Sequence, residues 1–142
     1  MNRVKQVMVA LIVGAAMMTT AQAGLLGDIG RVIDGSGGNI SQVALERLQR
    51  EAAYRILRGI LRDNGCKGAD DYVNCVKALV EYHDRGAATA AFCAGLDRDG
   101  SDEARNILKV LYAAAVTVRI TNANVGDEII SFVEYTNARY DF

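Results

Sequence analysis

The sequence predicts an all-α domain, a compact bundle of about four to five helices, and three observations carry that prediction. The 142-residue chain contains no proline, so no helix interior loses a backbone donor. Alanine, the strongest helix former, is abundant, while the β-branched alternation that marks strands is scarce. Apolar residues recur instead at three- and four-residue intervals, the spacing of one helical face.

The first residues read as an export signal. Arg3 and Lys5 supply a positive start, Val7 to Met18 form an apolar run of 12 residues, and "AQA" at 21–23 offers the small residues that signal peptidase requires. A membrane span needs roughly 20 apolar residues, so the run is short for an anchor, although an uncleaved N-terminal anchor is the rival reading. No cysteine follows it, which argues against a lipid-anchored lipoprotein. Cleavage after Ala23 leaves 119 of the 142 residues, enough for a single domain, and removes Arg3 and Lys5 but no acid, moving the net charge from −1 to −3. That balance is too acidic for a general nucleic-acid binder. The expected location is periplasmic or secreted, an oxidising setting where thiols tend to pair.

Residues 24–38, "GLLGDIGRVIDGSGG", contain six glycines. Leu25, Leu26, Ile29, Val32 and Ile33 have helical spacing, but each glycine costs up to ~1 kcal/mol inside a helix. The stretch is read as an arm ending in a flexible linker, and residues 39–142 as the single helical domain. Its first helix runs from about Ser41 to Asp63. Asn39 or Ser41 is the N-cap, and Leu45, Leu48, Ala52, Ile56 and Ile60 form the packing stripe. "DNGCKG" closes it, with Gly65 suited to a left-handed turn. The second helix covers about Ala69 to Asp84. Asp70 and Asp71 favour its positive end, and Tyr72, Val76, Leu79, Val80 and His83 line its buried side.

A short helix, "AATAAFCAG", follows, small enough to approach a neighbouring backbone. "LDRDGSDEARNIL" reads as a loop feeding a long helix from about Ser101 to Asn122. That helix is apolar nearly all round, which makes it the central one. A last helix starts at Asn124 to Asp127 and ends near Ala138, packing through Ile129, Ile130, Phe132 and Val133.

Three cysteines and one histidine give a possible zinc set, Cys66, Cys75, His83 and Cys93. None of these residues forms the close ligand pair, two to four apart, that structural zinc sites use. Thiol catalysis needs an activating base or helix terminus, and His83 lies on an apolar stripe. The reading is therefore a structural staple, Cys66–Cys75, contributing about 2–3 kcal/mol by restricting the unfolded chain. The alternative pairing is Cys75–Cys93. In the first pairing Cys93 is a buried free thiol between alanines.

Three surfaces are candidate partner contacts. Arg47, Arg50, Arg55, Arg58 and Arg62 fall opposite the stripe of the first helix, suited to bidentate contacts with carboxylates. Against that stands a solvated face balanced by Glu46–Arg50 and Glu51–Arg55, each pair worth about 0.3–0.5 kcal/mol. The acidic stretch 97–103, with Asp97 and Asp99, resembles a calcium loop only loosely. In a register starting at Asp97, Asp102 and Leu108 occupy the positions that require glycine and glutamate. Tyr135, Tyr140 and Phe142 add aromatics to the tail, which form a contact patch if exposed; packing against the 24–38 arm is the equal alternative.

No nucleophile elbow, phosphate loop or zinc-protease motif is present. The sequence-level expectation is a non-catalytic helical binding protein whose partner is another protein. It needs no cofactor or metal, contacts no nucleic acid and has no membrane span after cleavage. Among exported proteins of this size, inhibitors and immunity proteins that occlude a cell-wall hydrolase or toxin fit that description. A structural, oligomerising envelope component is the alternative and a cryptic enzyme the third reading; the sequence leaves the oligomeric state open.

Overall fold

The computed structural model describes residues 41–140. The expected leader (1–23), the arm (24–38) and Phe142 lie outside the described residues. Within them the chain is all-helical, with no strand: α1 (Gln42–Asp63), α2 (Ala69–Tyr82), α3 (Arg85–Asp99), a 3-10 turn (Ser101–Glu103), α4 (Ala104–Thr121) and α5 (Ala123–Tyr140).

Ser41 caps α1, its hydroxyl accepting from the Ala44 N–H at 3.1 Å. The helix buries a wider arc than the expected stripe. Ala52 and Ile56 are buried, but so are Tyr54, Leu57 and Leu61, while Leu45, Leu48 and Ile60 are half-buried. The cause is double packing, because α1 lies against both α2 and α4. Gly65, with φ 77°, makes the left-handed turn after α1, and the Cys66 N–H then donates to the Leu61 carbonyl at 3.0 Å.

α2 and α3 form a tight antiparallel hairpin. Its corner is His83, which is exposed and left-handed at φ 49° rather than part of the buried stripe. Asp84 then caps α3 by accepting from the Ala87 N–H at 2.9 Å. At the hairpin's other end the backbones touch. A side-chain carbon on Gly68 would sit 2.6 Å from the Gly95 backbone, and one on Gly95 would clash with the edge of the Tyr72 ring. The small residues of α3 thus serve the close approach that their size implies.

α3 is longer than the expected short helix. It continues through "LDRD" to Asp99 and stops only at Gly100, φ 103°. The stretch read as a loop is therefore mostly helix end plus one 3-10 turn, and α4 begins without a side-chain cap.

α4 packs between α1 and α5, burying Ile107, Leu108, Leu111, Ala114, Ala115 and Val118. Asn122 caps α5 through the Val125 N–H at 3.1 Å. Phe92 of α3 closes the core, its ring centroid 5.7 Å from Tyr72 and 5.5 Å from Phe132, linking α2, α3 and α5 through tilted ring contacts.

The disulfide staple is not part of this fold. Cys66, Cys75 and Cys93 are all free thiols, and no two lie at disulfide distance. Cys66 is carried into the bundle end, where Asp99 and Glu103 influence its thiol, while Cys75 lies more than a turn along α2, fully buried. Cys93 is exposed, not buried between alanines. Phe92 takes the inward position, and the next residue points about 100° further round the helix.

Candidate functional site

The five arginines of α1 do not form one uniform face. Arg58 Nε lies 2.9 Å from Asp70 and Arg62 reaches the same carboxylate at 3.4 Å, so these two tie the end of α1 to the first turn of α2. Arg50 is half-buried and 3.9 Å from Glu81. Arg47 and Arg55 remain exposed, with no ion pair among the described residues. The pairs that form thus cross to α2 instead of running along α1.

Behind Arg50 lies a buried polar seam. The Tyr54 hydroxyl is inaccessible and lacks a hydrogen bond of ordinary geometry. Burial, followed by the nearby Glu81 charge, raises its pKa. Lys77 Nζ sits 5.2 Å from the centre of the Tyr54 ring.

The acidic stretch divides between two roles. Asp97 is exposed on α3. Asp99 turns inward and accepts three hydrogen bonds: from the Lys67 N–H at 2.7 Å, the Gly68 N–H at 3.0 Å and the Tyr72 hydroxyl at 2.8 Å. Gly68 has no side chain to cap α2, so a carboxylate from α3 satisfies the N–H groups at that entrance. Burial acts to raise the Asp99 pKa, but the hydrogen bonds from Gly68, Tyr72 and Lys67 outweigh it and hold the carboxyl below its usual range. Arg98 adds an ion pair to Asp71 at 2.8 Å. Sequence reasoning missed this clamp, because its donors and acceptor lie about thirty positions apart.

The two buried thiols, Cys66 and Cys75, lie in surroundings that disfavour the thiolate. Burial, with Asp99 and Glu103 behind it, pushes Cys66 up to about 11, and burial with Cys93 pushes Cys75 up to about 12. Both stay protonated and unreactive near neutral pH. Among the described residues, no group of three or more His, Cys, Asp or Glu side chains is placed to hold a metal.

The C-terminal aromatics stand in a more organised setting. Tyr140 is 48% exposed, and Tyr82, at the end of α2, is 74% exposed. The Arg85 guanidinium carbon lies 4.3 Å from the Tyr135 ring centre, and that of Arg139 lies 5.9 Å from the Tyr140 ring centre. The phenols of Tyr140 and Tyr135 raise the Arg139 pKa. The spacing of Tyr135 and Arg139, one helical turn apart, was the signal available in the sequence; Arg85 reaches them only through the fold.

No family model, no curated protein and no solved structure matches this chain. Among the described residues, no helix is long and apolar enough to cross a membrane.

Proposed function

We propose that the chain is a small helical binding protein of the periplasm, an inhibitor or immunity-type protein that occludes a cell-wall hydrolase or toxin and catalyses nothing itself. The observation that carries this reading is the exposed tyrosine–arginine edge formed by Tyr82, Arg85, Arg139 and Tyr140. Tyrosine and arginine are the residue types that dominate protein–protein hot spots, and large exposed aromatics gain most when a partner covers them. Location in the periplasm rests on the N-terminal pattern of residues 1–23.

The test is affinity capture by the tagged chain from an envelope extract, followed by an activity assay of whatever enzyme is retained. The expected outcome is a peptidoglycan hydrolase or toxin, held stoichiometrically and slowed in proportion to bound chain. Recovery of nothing above a tag-only control, or of an enzyme that runs at full rate when saturated, would remove the reading.

A further inference from the structure

The edge where α3 begins and α5 ends carries guanidinium and phenol groups in alternation. Arg85 lies against Tyr135, and Arg139, one turn along α5, approaches Tyr140. Neither arginine has an ion-pair partner among the described residues. Four acidic residues are close in sequence: Glu81 lies 3.9 Å from Arg50, Asp141 lies outside the described residues, and the other two are Asp84 and Glu134. Asp84 already caps α3 through the Ala87 N–H, and Glu134 is turned about 100° round α5 from Tyr135.

The Arg85 guanidinium, held on the Tyr135 ring, has its plane fixed while its N–H edge faces outward. Arg139 is ordered by hydrogen bonds to the Tyr140 and Tyr135 phenols that leave further N–H donors for a ligand. A guanidinium N–H edge matches a carboxylate, which accepts two parallel charge-assisted hydrogen bonds. Because the side chain is already ordered, less conformational entropy is lost on binding. Tyr82, three residues before Arg85 across the hairpin corner, provides an exposed aromatic flank. We propose that this edge docks an acidic segment of a partner protein, with two carboxylate side chains seated on Arg85 and Arg139 beside the tyrosines. The proposal rests on the binding-protein reading and identifies the partner's chemistry.

The probe is fluorescein-labelled octaglutamate, followed by anisotropy at low salt and by backbone amide shifts of the full exported chain. Octaglutamate is expected to bind, with shifts centred on Tyr82–Arg85 and Tyr135–Tyr140. Arg85→Ala with Arg139→Ala weakens binding about tenfold or more, as expected for lost charge-assisted pairs. Arg47→Ala with Arg55→Ala, the control for simple cationic attraction, changes it less than about twofold, since unordered surface charge contributes little. Coincident melting curves establish that all the variants fold.

Absence of octaglutamate binding, equal weakening by the two double variants, or shifts centred on α1 would overturn the proposal. So would phosphatidylglycerol vesicles that bind through Arg85 and Arg139 when octaglutamate does not. A captured hydrolase whose affinity ignores R85A/R139A would overturn this site and leave the binding reading intact. Octaglutamate binding at this edge with no captured partner would do the reverse.

Discussion

Replacing Asp99 with alanine removes the acceptor of three hydrogen bonds at the α2 entrance. A hydrogen bond to a charged group contributes about 1.5–3 kcal/mol net. The three losses are unequal. Lys67 is exposed, so water replaces its partner readily, whereas Gly68 is buried and the Tyr72 side chain is fully inaccessible. Most of the cost falls on those two donors, and Asp99→Ala is expected to destabilise the domain by about 2–4 kcal/mol. Urea unfolding followed by far-UV circular dichroism measures this, provided that the slope with denaturant is unchanged.

The Tyr72→Phe partner variant isolates the buried share. In the parent it costs about 1 kcal/mol, because Asp99 keeps its two N–H donors. In the Asp99→Ala background it removes an orphaned hydroxyl and costs nothing, or stabilises, giving a coupling of about 1–2 kcal/mol. The pH dependence has a definite sign. The folded carboxyl is held below its usual range, so its contribution is fully present above the unfolded value near ~3.9 and declines as pH falls through the folded value. The gap between parent and Asp99→Ala therefore narrows in acid. A gap under about 0.5 kcal/mol near neutral pH, the level of an ordinary surface change, would refute the reasoning. So would zero coupling, or a gap that widens on acidification.

Gly95→Ala drives a methyl group into the Tyr72 ring and is expected to cost about 2–3 kcal/mol. Gly86→Ala, whose new carbon meets only an Asp84 oxygen at 3.4 Å, leaves stability unchanged or raises it by up to ~1 kcal/mol; paired urea titrations compare the two. A maleimide reagent applied to the native chain labels Cys93 rapidly, and Cys66 and Cys75 react only on unfolding, which intact mass and peptide mapping resolve. Arg62→Ala shifts stability by less than about 1 kcal/mol in the same urea titration, since its pair with Asp70 is solvent-exposed.

The helices were legible because their signals are local. Ser41, Gly65 and the apolar spacing of residues 107–118 bound or face helices by short-range chemistry. What the sequence concealed depends on contacts between helices. Tyr54, Leu57 and Leu61 lie off the single stripe, and their burial follows from α1 having two neighbours. His83 has the spacing of a core residue, but the hairpin turns before it can point inward. The staple failed for the same reason. Nine positions separate Cys66 from Cys75 in the chain, but Gly65 redirects the first toward Asp99 while the helix carries the second away. Of the candidate contact residues, Asp99 changed role most. A carboxylate in a polar run looks solvated until a glycine-started helix, lacking a cap of its own, is brought beside it.

The α2–α3 hairpin links this internal clamp to the proposed docking edge. At one end, Asp99, the Gly68–Gly95 contact and the Arg98–Asp71 pair fix the two helices against each other. At the other end, the same two helices present Tyr82 and Arg85, with Tyr135 of α5 holding the guanidinium in place. If the satisfied backbone groups and interlocked glycines at the closed end stiffen the hairpin along its length, the open end keeps its geometry in the free chain. Binding by an edge of this kind gains from that rigidity, since side chains and backbone already ordered lose little freedom on association. Loosening the clamp should therefore weaken docking without touching a contact residue. In Asp99→Ala, measured where the domain is still fully folded, octaglutamate affinity falls while the binding position stays at Tyr82–Arg85 and Tyr135–Tyr140. An unchanged affinity would separate the two ends of the hairpin and leave the docking edge dependent on Tyr135 and α5 alone.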